Sequence, residues 1–482
     1  MGKSLKEKTV KGISWSLVDK IGVQGTKFLV GILLARLLSP EDFGLIGMIT
    51  VFFTVANVFI QSGFGHAYVQ KKDATNVDAN TVFYTNFFIS VVLYIILWLL
   101  APLIAKFYEQ PQLIELTRVM GFVVIINSFR IIQESQIKRN VNFKRKAIVS
   151  LIAIIIAGSI SIITALKGLG VWSLVILQMG NMFLLTAGLW LSSRWKLSIK
   201  FSIESFKEMF SFGVWILGSG IIKTIFDNIY ILTIGKFFPA SQVGFYTKAK
   251  DFQRMFVNQI ASAIGIVAFP VLSQLQEDKE KLQHSMRKFL THTQVIIIPL
   301  MVTLIVVAKP LVILLIKDKW VPMIPYLQLL CIVGVLYPIH LINVQVLIAQ
   351  GKSNLNFNLT IIKNGLRVLN ILLMYRFGVI YIIIGEMVVS FIALFINTWY
   401  TQTLINYGFF KQFKDIGMLI LGGVIAGMIS YIFILINNLY WIQLFGGGLL
   451  SLGFFVLFQY IANREFYKEI IDLKIIFKKN KL

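Results

Sequence analysis

Charge is what this chain lacks. Only 14% of its 482 residues are Asp, Glu, Lys or Arg, where soluble proteins carry about 25%. Apolar residues make up 57%, and the mean hydropathy is +0.78. No water-soluble core hides that much apolar surface, so the chain reads as a membrane protein. Cysteine is nearly absent too. A lone Cys331 excludes an intramolecular disulfide and a thiolate metal site. Inside its apolar run it reads as a small core residue. The histidines, His66, His284, His292 and His340, are too scattered to suggest a ligand cluster. Acids are scarce, 22 against 46 bases, and the net charge is +24. In a soluble protein that balance would suggest nucleic acid. No nucleic-acid partner is expected here, because the placement of the bases explains the charge.

Motifs of catalysis are missing as well. Gly351-Lys352-Ser353 lacks the glycine that a phosphate loop needs at position 346, where Val346 stands. No nucleophile–base set and no metal motif is found, so no enzyme, no cofactor and no metal is expected. Transport work would come from an ion gradient or from substrate flux.

What is present is a series of long apolar runs. About 20 residues are needed to cross a bilayer as a helix. Runs of that length number about 14, which predicts an all-α polytopic membrane protein with about 14 transmembrane helices. They are too long and too evenly apolar for alternating barrel strands. The basic N-terminus and its apolar run resemble a signal peptide, but Asp19, Lys20 and Lys27 interrupt the run and no cleavage site ends it. It is read as a retained first span. With the N-terminus inside, cytoplasmic segments collect about 28 of the bases and outer loops about 8, which predicts both termini in the cytoplasm.

The chain also repeats itself. Leu33 to Gly44 reads LLARLLSPEDFG, and Leu232 to Gly244 reads LTIGKFFPASQVG. At an offset of 200, Arg36 faces Lys236 and Gly44 faces Gly244. Trp15, Phe52 and Gly65 face Trp215, Phe252 and Gly265 without a gap. Spans 1 and 7 cross in the same direction, so the repeat is parallel, with its axis along the membrane normal. The expected organisation is an N-lobe at 1–192 (spans 1–6), a cytoplasmic linker at 193–206 and a C-lobe at 207–406 (spans 7–12). An extra helix pair at 407–463 and a basic cytoplasmic tail at 464–482 complete it. Residues 416–463 hold no charged side chain, and Gly423 and Gly427 form a GxxxG, a weak packing signal.

Charges inside the spans are the candidate site. Lys20, Lys27, Arg118, Arg130, Lys223, Lys248, Lys250, Arg254, Lys363 and Arg367 outnumber Asp19, Glu134, Asp227, Asp251 and Glu386. Each charge at the bilayer centre costs roughly 2.5–3.5 kcal/mol, so the unpaired bases must meet water, an interface or an anion. Arg118, Arg130, Glu134 and Lys248 lie near span ends and are expected to snorkel. Lys20 and Lys27 share one face of span 1. Lys250 and Arg254 stand at i, i+4 on span 8, as do Lys363 and Arg367 on span 11. Transporters with repeats place their site between the halves. The substrate-binding residues are therefore expected to be Lys20, Lys27, Lys223, Lys250, Arg254, Lys363 and Arg367, lining a water-filled cationic cavity. Asp19, Asp227 and Glu386 are the candidates for coupling to Na+ or H+.

The segments Gly12 to Trp15, Leu33 to Phe52 and Gln61 to Gly65 resemble the polysaccharide transporter (Wzx-like) branch of the multidrug/oligosaccharidyl-lipid/polysaccharide flippase superfamily. The turn R-x-L-x-P-x-D-[FY]-G is fairly specific for that branch, and the similarity is greatest to colanic and teichuronic acid exporters. The resemblance implies two MATE-like six-helix lobes plus two C-terminal helices. It implies a flippase that carries undecaprenyl-diphosphate-linked oligosaccharide across the bacterial plasma membrane for surface polysaccharide. The lipid-linked oligosaccharide and membrane lipids are then its partners, beside a polysaccharide polymerase and glycosyltransferases, and the chain is expected to be a monomer. The alternatives are a MATE-type multidrug exporter, which should present acids to its cations, a lipid-linked peptidoglycan precursor flippase, and a non-transporting scaffold.

Overall fold

The computed structural model describes residues 2–61, 64–140, 143–193 and 195–462. The tail at 464–482 lies outside the described residues. The described chain is helical. In order it forms α1 (Gly2–Leu37), α2 (Pro40–Gln61), α3 (Phe64–Gln70), α4 (Asn76–Tyr108), α5 (Leu113–Arg139), α6 (Phe143–Leu166) and α7 (Val171–Ser192). These are followed by α8 (Ile203–Asp227), α9 (Ile229–Phe237), α10 (Ala240–Gln274), α11 (Lys279–Val306) and α12 (Ala308–Ile316). A 3-10 turn (Asp318–Met323) leads into α13 (Ile324–Ala349), α14 (Ser353–Met374), α15 (Val379–Ile405), α16 (Phe409–Ile436) and α17 (Tyr440–Ala462).

Helix is the expected answer to lipid, because it satisfies each backbone group within its own segment. Among the described residues, nine helices are long and apolar enough to cross a membrane, or ten if the bent pair α8–α9 counts as one span. Four further long helices, α1, α5, α10 and α14, do not qualify. With them the tally would reach the fourteen expected from sequence. They are the helices that carry Lys27, Arg130, Lys250 and Lys363.

The chain forms two compact units, Met1–Thr247 and Lys248–Leu482. In the first, α1 packs on α6, α4 on α5, and α7 against both α5 and α6. Small residues let these helices approach. The space where a Cβ on Gly158 of α6 would stand is only 2.6 Å from Val30 of α1. The outer face of α6 shows Ile148, Ile152, Ile155 and Ile163 to the surroundings, as a lipid-facing helix should. Where α4 begins, Thr75 and Asp78 form a capping box. Lys71 joins that box to α8, 3.1 Å from Asp78 and 2.8 Å from Glu208.

In the second unit α13 packs against α11 and α15, and α16 and α17 pack on each other and on α11. Leu282, Met286, Leu290 and Val346 are fully buried at its core. The first turns of α11 are polar. Asp278 caps the helix by accepting from the Lys281 backbone N–H at 3.0 Å. The glycines of the GxxxG meet α11: Cβ atoms there would stand 2.7 Å from Ile298 and 2.8 Å from Val302. Close packing is therefore their role.

Candidate functional site

In the first unit the intramembrane charge gathers where α1, α5 and α6 pack. Arg130 of α5 is only 9% exposed. Its Nε lies 3.4 Å from Glu134 Oε1, one turn along the helix. Lys146 of α6 reaches the same oxygen at 3.2 Å. The far side of the guanidinium points Nη1 at Met182 Sδ of α7, 3.3 Å away. Lys27 of α1 stands within electrostatic range of Arg130 and Asp19, and Lys138 within range of Glu134. Among the described residues, Lys27, Arg130, Lys138 and Lys146 thus stand near the acids Asp19 and Glu134.

The expected snorkelling of Arg130 and Glu134 is not what the fold does. Arg130 is held inward, because α7 covers it and Lys146 completes the charge pattern from a neighbouring helix. Arg118 behaves differently, with its guanidinium 4.0 Å above the Trp98 ring, a cation–π contact. Lys20 has no described side chain, so its expected role falls outside the described residues.

Helices α8 and α9 meet at a bend of 46°. Asn228 forms the break, and its side-chain amide donates to the Thr224 carbonyl at 2.8 Å. Lys223 and Asp227 stand exposed on the last turns of α8, beside the bend.

In the second unit, α10 carries Lys248 and Lys250 buried and Asp251 and Arg254 exposed. Asp251 is in electrostatic range of Lys248, Arg254 and Lys250. The second group forms where α13, α14 and α15 enclose a cavity of about 180 Å³ lined by His340, Asn356, Thr360, Lys363 and Asn397. Asn397 and His340 Nδ1 share a hydrogen bond of 2.8 Å. Lys363 and Arg367 both stand in electrostatic range of His340, and Arg367 Nη1 donates to Asn364 Oδ1 at 3.3 Å. Glu386 is half-buried on α15.

Each unit thus brings together part of the expected set: Lys27 and Asp19 in one, Lys250 with Arg254 and Lys363 with Arg367 in the other. Sequence reasoning missed Arg130, Lys146, His340 and Asn397. Arg130 was in view as a charge near a span end, and a glutamate one turn on, Glu134, was the available signal for its pairing. For His340 and Asn397 none existed, since they are neighbours only through packing. Chemically, such clusters offer several charge-assisted donors to an anion. Among the described residues no group of three or more His, Cys, Asp and Glu side chains could hold a metal ion.

A family model described as polysaccharide biosynthesis protein matches residues 33–325. The succinoglycan biosynthesis transport protein ExoT of Rhizobium meliloti is 26% identical over 340 residues, 70% of this chain and 69% of its own length. The lipopolysaccharide biosynthesis protein WzxC of Escherichia coli is 25% identical over 370 residues, 75% and 74% of the two chains. The teichuronic acid biosynthesis protein TuaB of Bacillus subtilis is 23% identical, covering 73% and 74%. Among solved structures, the lipid II flippase MurJ in an inward closed conformation matches with a TM-score of 0.74 at 15% identity. That match covers 96% of this chain and 100% of the other. An inward-facing MATE multidrug transporter matches with a TM-score of 0.60 at 17% identity, covering 80% and 98%.

Proposed function

The chain belongs to the polysaccharide biosynthesis protein family, and from that premise we propose that it is a flippase for lipid-linked oligosaccharide. It moves undecaprenyl-diphosphate-linked repeat units across the bacterial plasma membrane, where they are polymerised into surface polysaccharide. Both termini lie in the cytoplasm, α1, α5, α10 and α14 also span, and the monomer works beside a polymerase and glycosyltransferases. It has no enzymatic step of its own.

One observation carries this reading: α1, α5, α10 and α14 each hold more Lys and Arg than acids within long, otherwise apolar helices. A transporter of cationic drugs has no use for that sign. A diphosphate head group has, since several moderate charge-assisted contacts hold it and still let it go. Lys20, Lys27, Lys223, Lys250, Arg254, Lys363 and Arg367 are the residues proposed to receive it. Asp19, Asp227 and Glu386 are proposed for Na+ or H+ coupling. Asp227 is the favoured one, because the break at Asn228 leaves helix-end carbonyls beside it, as cation sites in broken-helix transporters do.

The test is deletion with complementation. Loss of surface polysaccharide, with lipid-linked units accumulating in the inner leaflet, is expected. Unchanged surface polysaccharide overturns the reading. The TM-score of 0.74 to a lipid II flippase keeps a peptidoglycan-precursor flippase as the second reading. Depletion decides between them, since lysis follows only from loss of the peptidoglycan precursor.

A further inference from the structure

A cavity in the first unit borders the Arg130 cluster along α5 and α6. It encloses about 650 Å³ between α5, α6 and the end of α7. Gln136 of α5, Asn140 just past its end, Lys144 and Arg145 of α6, and Ser192 and Ser193 line its polar side. Both bases have exposed side chains. Lys144 rests 5.5 Å from the Trp15 ring centroid. Neither base forms an ion pair among the described residues, whereas the next residue, Lys146, is taken by Glu134. The first turn of α6 holds no acid to offset them.

The other wall is apolar. Ile137, Ile148 and Leu189 line it. Ile148 is 43% exposed, and Ile152 and Ile155 continue the exposed stripe along α6 at helical spacing. A polar, basic chamber therefore opens onto a hydrocarbon-facing track. That pairing fits a molecule with an anionic head and a long tail.

We propose that this cavity binds a phosphate-bearing lipid, its head group held by Lys144 and Arg145 with the amide and hydroxyl groups opposite, its tail along Ile148, Ile152 and Ile155. Basic pockets between membrane helices take such head groups. The chemistry is shared by membrane phosphatidylglycerol and by a prenyl diphosphate. The site requires only that the chain spans a membrane, and it stands or falls apart from the cargo reading.

The experiment is native mass spectrometry of the full chain from detergent, titrated with phosphatidylglycerol and, in competition, with undecaprenyl diphosphate. The double variant Lys144→Gln/Arg145→Gln is expected to bind phosphatidylglycerol about tenfold more weakly. Ser192→Phe, which fills the chamber without changing charge, should lose the same bound lipid. The charge-matched control Lys309→Gln/Lys352→Gln should bind as wild type does. Displacement by undecaprenyl diphosphate assigns the site to the prenyl lipid, and resistance to it assigns the site to membrane phospholipid. Equal lipid binding by wild type, the double variant and the Phe variant overturns the proposal.

Discussion

Gly44 and Gly244 are locked in a reciprocal contact. A Cβ on Gly44 would stand 1.8 Å from the carbonyl oxygen of Ala240, and a Cβ on Gly244 would stand 1.9 Å from that of Pro40. Ala240 is the counterpart of Pro40 at the offset of 200, so each turn presses its glycine onto the matching backbone of the other. Such mutual contact is the mark of a two-fold relation, and it supports the parallel repeat. It also explains why a glycine opens each second helix, since no side chain fits there. At the same end Lys236 pairs with Glu109 at 3.1 Å and lies 5.4 Å from the Phe107 ring centroid.

Gly44→Ala and Gly244→Ala should therefore be equally damaging. The obstructing atom is backbone, which cannot rotate away, so each substitution should destabilise by more than the usual 1–3 kcal/mol of overpacking. Gly25→Ala has nothing within 4 Å of its new methyl and should be neutral or mildly stabilising. Melting temperature and surface polysaccharide check this together. Wild-type values for both turn variants would refute the contact.

The Arg130 cluster makes a stability prediction. Glu134→Ala leaves Arg130 and Lys146 without the oxygen they share. Breaking a buried pair by removing one partner costs about 3–5 kcal/mol. Double substitution with Arg130→Met should recover part of the loss. A pair of single variants whose effects simply add in the double would show that the two residues are not coupled.

The second cavity makes a functional one. Lys363→Ala should lower surface polysaccharide severalfold at normal membrane insertion, and Lys363→Arg should restore much of it, because charge is what the head group needs. Lys223→Ala and Arg254→Ala should act in the same direction. Export at wild-type level from all three alanine variants, at equal expression, would remove the cationic site.

Lys71 sets a pH dependence. Its hydrogen bonds to Glu208 and then Asp78 raise its pKa above the ordinary 10.5. A raised folded-state pKa means a contribution fully present below about pH 10.5 and lost as pH climbs through the higher folded value. The link to α8 should thus hold through neutral pH and loosen only in strong alkali. The difference in melting temperature between wild type and Lys71→Met, followed from pH 7 to 11.5, should be flat at first and shrink at the alkaline end. A difference that changed near neutrality would contradict it.

Most of the architecture was legible in the amino-acid order. Apolar runs of bilayer length and a hairpin repeated 200 residues apart determined a polytopic helical membrane protein with an internal repeat. These are properties of composition and spacing, and lipid leaves the backbone few other solutions. The tertiary structure decided which charges meet. Arg130 was taken for a snorkelling residue because one helix shows only its distance from an end. Packing placed α7 over it and brought Lys146 to the Glu134 carboxylate that Arg130 also meets. His340, Lys363 and Asn397 sit on three helices and became neighbours only when α13, α14 and α15 closed around one cavity. Gly44 and Gly244 were legible as a repeat, but not as a contact. Helix periodicity reports which residues share a face, and only the fold decides which face another helix will cover.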